Sequence, residues 1–291
     1  MASEIVKFYA EDGVELDGFI NSRGEKSKKV VIEIHGMTSN CFKKREKTIS
    51  EKLKEIGIDS ICFNNRGSEI CKYIKNGNGE KSLAGTAFEN IEEAYEDILG
   101  AIKYAVSVGY RDIYLQGHSL GSTKVVYVYN RMKKESNEYF KYIKGIILLS
   151  LVDIPSLFKL VSPPKFVEYA LEKEQKNEIL ELMPFESFVH PMSVKNYLKY
   201  TKYNDDINFA QYNNSDYNFN ELNNIDVPIF MRWGNNREFI LQRADKLVAL
   251  IEEKIKNKNK DINFIDGANH SYDDKEEILA NEICDFLKKI Q

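Results

Sequence analysis

Asp112-Ile113-Tyr114-Leu115-Gln116-Gly117-His118-Ser119-Leu120-Gly121 is the stretch on which the fold turns. Asp112 to Leu115 reads as a short strand, and the residues from about Ser119 to Lys134 read as a helix. Between them lies a G-x-S-x-G pattern. Five small residues of this kind occur by chance, but a strand before and a helix after make the pattern specific. In that setting the serine sits on a tight turn with strained backbone angles. Gly117 and Gly121 flank it because neighbouring chain passes where a Cβ would clash. The turn lifts the Ser119 hydroxyl to the carboxyl edge of a sheet, beside the positive end of the helix dipole.

Working outward, strands and helices alternate on both sides. Val30-Val31-Ile32-Glu33-Ile34 is the β-branched run of a buried central strand, and it ends in His35-Gly36-Met37. Residues 43–56 are predicted helical, with Ile49, Leu53 and Ile56 on one face, and 58–63 form the next strand. Before them, Ile5, Lys7 and Tyr9, then Val14, Leu16, Gly18 and Ile20, alternate around Glu11-Asp12-Gly13 as a hairpin. Residues 68–87 read as a loop. The helical pattern at 88–108 stops at Gly109. Downstream come a strand at 145–151, a strand at 227–231, a helix at 243–255, a strand at 262–265 and a helix at 275–290. This alternation predicts an α/β chain with a doubly wound, mostly parallel sheet. From Pro155 to Asn224 the pattern breaks into short helical pieces at 166–173, 176–183 and 194–200, rich in Tyr, Phe and Asn. The expected organisation is a core of 1–154 and 225–291 carrying a cap insertion at 155–224.

Composition bounds the partners. With 43% hydrophobic and 30% charged residues, the 291-residue chain is of the soluble globular type and long enough to hold a core without disulfides or metal. Forty-one Lys and Arg against 45 Asp and Glu give a net charge of −4, which argues against a general nucleic-acid binder. The longest apolar run, Ile146 to Val152, is interrupted by Ser150 and falls far short of the roughly 20 residues of a membrane span. The start of the chain shows no signal-peptide pattern, so a cytoplasmic location is expected. Cys41, Cys62, Cys71 and Cys284 show no C-x-x-C pair and read as free thiols. The four histidines are too scattered to suggest a metal cluster.

A serine hydroxyl is a poor nucleophile until a base removes its proton. Asp266-Gly267-Ala268-Asn269-His270 lies between the last strand and the last helix, on a loop that can reach back over the sheet edge, so His270 is the candidate base. The oxyanion formed on attack needs two backbone donors. Leu120 N–H, next to the nucleophile, is one; Met37 N–H, after the strand 30–34, is the other, with Gly36 permitting close approach. His118 reads as a packing residue, Asp266 as a cap of the histidine turn and Arg66 as a loop anchor, while His190 receives no role.

Together His35-Gly36, Asn65-Arg66-Gly67, the Gly117–Gly121 elbow, the insertion and the terminal Gly267-Ala268-Asn269-His270 resemble the α/β-hydrolase superfamily over nearly the whole chain. Within it, Gly85-Thr86-Ala87-Phe88-Glu89 and Pro191-Met192-Ser193 faintly resemble bacterial and fungal relatives of siderophore-releasing esterases. The resemblance implies a serine hydrolase cleaving a small-molecule carboxylic ester, with no metal, nucleotide or organic cofactor. It also implies a triad in the order serine, acid, histidine, with Asp about three residues after the glycine that ends the seventh strand. Here the chain reads Trp233-Gly234-Asn235-Asn236-Arg237-Glu238, and Arg237 stands at that position. An arginine cannot accept the imidazole N–H. Glu238, one position on, and Asp153, just past the strand 145–151, are the two candidate acids. The irregular acid also leaves open a non-catalytic ligand-binding protein on the same scaffold, and amide hydrolysis and acyl transfer use the same constellation.

Overall fold

The computed structural model describes residues 2–24, 27–205 and 207–290. In chain order they form β1 (Ala2–Tyr9), β2 (Glu15–Ser22), β3 (Lys29–Ile34), α1 (Lys44–Glu55), β4 (Asp59–Asn64), the small hairpin β5 (Lys72–Lys75) and β6 (Lys81–Ala84), and α2 (Ala94–Ser107). Next come β7 (Asp112–His118), α3 (Leu120–Lys134), β8 (Ile143–Leu149), α4 (Ile154–Val161), α5 (Lys165–Gln175), α6 (Val194–Thr201) and α7 (Asn220–Asn223). The chain ends with β9 (Ile229–Gly234), α8 (Ala244–Lys254), β10 (Lys260–Ile265) and α9 (Glu276–Lys289). The main sheet has the order β1-β2-β4-β3-β7-β8-β9-β10. The hairpin β1–β2 and the β2–β4 pair are antiparallel, and every later pair is parallel.

A parallel sheet is covered by helices on both faces, so its central strands are apolar throughout, and alternate side chains serve opposite cores. β3 shows the division. Val30, Ile32 and Ile34 face the core built with Val125, Ile146 and Met231, while Val31 joins Ile49, Leu53, Phe230, Leu279 and Ile283 on the other side. Helices α1 and α9 pack side by side on that second face. A third apolar cluster lies outside the sheet, over the elbow: Phe158, Phe188, Tyr197 and Tyr200 gather there with Leu120 and Val152. Phe158 and Phe188 stack with ring centroids 4.2 Å apart. Residues 209–225 pack differently. Phe209, Tyr212, Phe219 and Leu222 belong to the first core, so the return path from the insertion is part of the sheet's own packing.

The sequence misses four local features. Residues 68–87 hold the β5–β6 hairpin rather than a plain loop. The helix expected from 88 begins at Ala94, after a single 3-10 turn at Ile91–Glu93, because Gly85 to Ala87 is pinned to the loop after β4 and the next residues turn back on Gly85. Residues 176–183 form turns, not a helix: Lys173 holds both Glu178 and Glu181, and the chain folds back so that Met183 N–H donates to Met192 O. Helix α4 was not expected. Its N-terminus is capped by Asp153, whose carboxylate accepts from Ser156 N–H, with Pro155 in the first turn.

The elbow glycines are enforced by contact. A Cβ on Gly121 would lie 2.2 Å from Ile34 O, and one on Gly117 would lie 2.4 Å from the Gly121 carbonyl. These are backbone atoms of a packed sheet and helix, with no flexible side chain to yield. Gly121→Ala is therefore expected to cost about 3 kcal/mol in denaturant unfolding, by overpacking between α3 and β3. An unchanged unfolding midpoint would show that the two elements can part freely.

Candidate active site

Ser119 occupies the turn between β7 and α3 at φ 54 and ψ −123, a region that disfavours a side chain. The turn is held from both sides, Ser119 N–H donating to Leu149 O at 2.8 Å and Ser122 N–H to Ser119 O at 2.9 Å. Gly36 passes so close that a Cβ there would stand 3.0 Å from Ser119 Cβ. The loop after β3 thus lies directly against the serine.

That loop is fixed by two side chains. His35 is buried, and burial with the Lys124 charge nearby pushes its pKa down to about 3, so its ring is neutral. Its Nε2 accepts from Asn65 N–H at 3.2 Å, which leaves Nδ1–H to donate to Gly36 O at 2.9 Å. Farther on, Thr38 N–H donates to Thr86 Oγ1 at 2.7 Å, and that hydroxyl donates to Gly67 O at 2.9 Å. Met37 lies between these anchors. Among the described residues neither Met37 N–H nor Leu120 N–H has an acceptor, and both residues line the pocket that holds Ser119. Arg66 anchors the neighbouring loop: its backbone N–H and guanidinium all reach Asp97, at 2.8–2.9 Å.

The histidine and its carboxylate come from adjacent strand ends. After β9, Arg237 takes φ 54 and stays exposed, and the chain turns so that Glu238 returns under the strand. Glu238 Oε2 accepts from Gly234 N–H at 3.0 Å and from Ser150 Oγ at 2.7 Å; Oε1 meets His270 Nδ1 and Phe239 N–H. The Glu238 side chain is 2% exposed. Burial alone would raise its pKa, but the bond to His270, that ring's charge, Gly234 N–H and Ser150 together hold it below the usual carboxylate value. The two loops are laced together. Asn235 donates to Asp266 and accepts from Gly267 N–H, and Asn236 N–H donates to Ala268 O. Asp266 is therefore a tie between loops, as well as part of the histidine turn.

Asp153, the other candidate acid, is engaged elsewhere. Its two oxygens accept from Ser156 N–H and Tyr212 N–H, each at 3.1 Å, so it fastens α4 and residue 212 to the end of β8. His118 does more than pack. Burial, with the charges of Arg45 and His270, lowers its pKa far below the usual value. The neutral ring lies with Nε2 2.7 Å from His270 O, and since a carbonyl only accepts, Nε2 carries the proton. It thereby holds the backbone that presents His270. Among the described residues no hydrogen bond joins Ser119 Oγ to His270 Nε2, although both line one cavity of about 720 Å³. The cavity's far wall is apolar, with Val152 and Ile154 just past β8 and Leu157, Phe158 and Phe188 from the helical segment that follows. His190 also lines it, on that side.

Ser150 is the residue that sequence reading passes over. It directly follows β8 at φ 47, fully buried, and supplies one of the hydrogen bonds that hold Glu238 below the usual carboxylate value. The Tyr272 hydroxyl stands 3.0 Å from it and is 2.7 Å from Arg232 O. Its one sequence signal is a lone polar residue inside the apolar run 146–152. Ser150→Gly keeps the backbone relaxed and removes the hydroxyl. It should lower kcat about tenfold, the weight of one hydrogen bond to a carboxylate, with KM little changed. Ester kinetics beside an unfolding curve check this; a full kcat would remove Ser150 from the site's support.

Among the described residues no group of His, Cys, Asp or Glu side chains could hold a metal ion, and no helix is long and apolar enough to cross a membrane. No family model and no curated protein matches the chain in sequence. Solved structures match it over its full length. Est1E from Butyrivibrio proteoclasticus, with bound ferulic acid, is 18% identical over 97% of this chain and 98% of its own, with a TM-score of 0.66. The α/β hydrolase GrgF from Penicillium sp. sh18 is 15% identical over 99% of each chain, with a TM-score of 0.68. A soluble variant of monoglyceride lipase from Saccharomyces cerevisiae, in complex with a substrate analog, is 16% identical over 100% of this chain and 96% of its own, with a TM-score of 0.66. At these identities the likeness speaks for architecture. The mostly parallel eight-stranded sheet, its flanking helices and these matches give this chain the α/β-hydrolase fold.

Proposed function

We propose that this chain is a serine hydrolase that cleaves a carboxylic ester through an acyl-enzyme. The observation that carries the reading is the buried Glu238 carboxylate on His270 Nδ1, with Ser119 in the same cavity. A carboxylate there fixes the tautomer that leaves Nε2 free as a base and stabilises the imidazolium. His270 Nε2 takes the Ser119 proton as Oγ bonds the acyl carbon. The Met37 and Leu120 N–H groups receive the oxyanion. The bond to the alcohol oxygen breaks, and that oxygen takes the proton from His270. Water then repeats the sequence: it gives a proton to His270 as its oxygen bonds the acyl carbon, the acyl–Oγ bond breaks, and His270 returns the proton to Ser119 Oγ as the acid leaves. The monoglyceride lipase of like fold favours an ester over an amide as the substrate.

The insertion 155–224 acts in this reading as a cap on the core of 1–154 and 225–291, its part before residue 208 forming the apolar wall for the acyl group. One observation favours the second reading, a non-catalytic ligand-binding protein: Ser119 and His270 are not hydrogen-bonded. Serine–histidine contacts are often loose without substrate. A fluorophosphonate probe separates the two readings. A covalent adduct on Ser119, located by peptide mass spectrometry, is the expected result; no adduct at high probe and long incubation would overturn the hydrolase.

A further inference from the structure

A second groove, of about 630 Å³, adjoins the catalytic cavity, and the two share Lys43 and Lys44 as a common wall. Lys44, Lys47, Glu51 and Lys54 recur on α1 at spacings of three or four residues, so one helix face lines this groove. Four lysines meet a single carboxylate there, in a chain whose net charge is −4. Lys44 is bridged to Glu276 at 3.0 Å, but among the described residues Lys43 and Lys47 have no ion pair. Lys43-Lys44-Arg45 also places three cations at the positive end of the helix dipole, where cations are disfavoured. Lys43 stands at the N-cap position and makes no side-chain cap, so the first helix N–H groups lack that acceptor.

Arg45, 5% exposed, lies at the same helix end but borders the catalytic cavity rather than the groove, and it is paired with Glu46, whose Oε2 also has no donor among the described residues. One terminal nitrogen rests on Glu46, the other is 3.4 Å from Ser271 O, and Nε has no acceptor among the described residues. A buried guanidinium with a spare donor stays under-satisfied until a ligand or water reaches it. Phe42, 69% exposed, leans on Phe19 at 5.7 Å and gives the groove an apolar floor beside its lysines.

We propose that the leaving group of the substrate carries a phosphate, which crosses the Lys43–Lys44 wall and lies in the α1 groove while the acyl chain lies against Leu157 and Phe158. The proposal rests on the hydrolase reading and names its substrate class: esters or thioesters of a phosphorylated alcohol or thiol. A lysine ammonium binds phosphate as a point charge, and helix-end N–H groups add to it.

Two matched pairs of substrates test it. One is 1-butyrylglycerol 3-phosphate against 1-butyrylglycerol; the other is S-butyryl coenzyme A against S-butyryl-N-acetylcysteamine. In at least one pair the phosphorylated member should have a kcat/KM higher by about tenfold or more at low salt, the advantage shrinking as ionic strength rises. The pair that responds tells a glycerol phosphate from a nucleotide-bearing thiol. In Lys43→Gln/Lys47→Gln the ratio should fall close to one. Ratios at or below one in both pairs, with p-nitrophenyl butyrate still hydrolysed, overturn the phosphate groove and leave the hydrolase standing. If no ester turns over and the fluorophosphonate gives no adduct, the hydrolase reading fails instead. Calorimetry with inorganic pyrophosphate then judges the groove alone: saturable binding that the double variant loses supports it, and no saturable binding overturns it.

Discussion

Ser119→Ala should lower ester turnover by a factor on the order of 10⁶, leaving only what the backbone donors and the cavity contribute. The fold should survive, because the hydroxyl makes no cap or core contact that alanine would lose. Alanine does keep the Cβ that the backbone resists at φ 54. Ser119→Gly removes nucleophile and strain together, and should raise stability over Ser119→Ala by ~1–3 kcal/mol. The comparison measures what the elbow costs the folded chain, and a natural serine at that cost is the mark of a functional turn. Turnover of p-nitrophenyl esters and unfolding curves for the three proteins read out both halves. A variant with wild-type kcat would end the serine-hydrolase reading. Equal stability of the alanine and glycine variants would show that the turn is not strained.

The elbow was legible because contact dictates its pattern: Gly117 and Gly121 each face backbone within 2.4 Å, so no other residue could stand there. The parallel core was legible for a similar reason. Val30 to Ile34 must be apolar on both faces, and a β-branched run shows that whatever the rest of the chain does. The insertion was less legible because its packing is tertiary. Lys176 to Met183 has a helix-like composition, but Lys173 and the backbone of Met192 fold that stretch back on itself. The supports of the site were hidden for a related reason. Ser150 reaches Glu238 across 88 residues, His118 reaches His270 across 152, and Tyr272 reaches Ser150 across 122, and only the sheet brings these partners together. A local motif carries no trace of such a partner. Arg237 illustrates the opposite case: a residue of the wrong chemistry at the expected position turned out to mark a left-handed turn that moves the carboxylate one place along.

Glu238→Gln should cost about 10⁴-fold in kcat, the effect seen when a triad carboxylate becomes an amide. The geometry explains why the loss would be severe. Glu238 receives four donors, from His270, Ser150, Gly234 and Phe239, and an amide can accept at only one of its two ends. The other end would turn an NH₂ toward donors, and His270 would lose the acceptor that selects its tautomer. Asp153→Asn should instead keep kcat within a few-fold and lower stability by ~1–3 kcal/mol, because one of the N–H groups of Ser156 and Tyr212 loses its acceptor. The two variants therefore separate by kind of effect as well as by size. The pH dependence of stability adds a third reading. A carboxylate with a lowered native pKa contributes stability above the ordinary value near 4.3, and the contribution is lost as pH falls through the native value. The difference in unfolding free energy between wild type and Glu238→Gln should thus be complete at neutral pH and shrink below about pH 4. A fall in kcat that follows Asp153→Asn, with Glu238→Gln nearly silent, would move the acid to the end of β8. Full activity in both would leave a Ser–His dyad, in which the buried Glu238 orders the loop without taking part in catalysis.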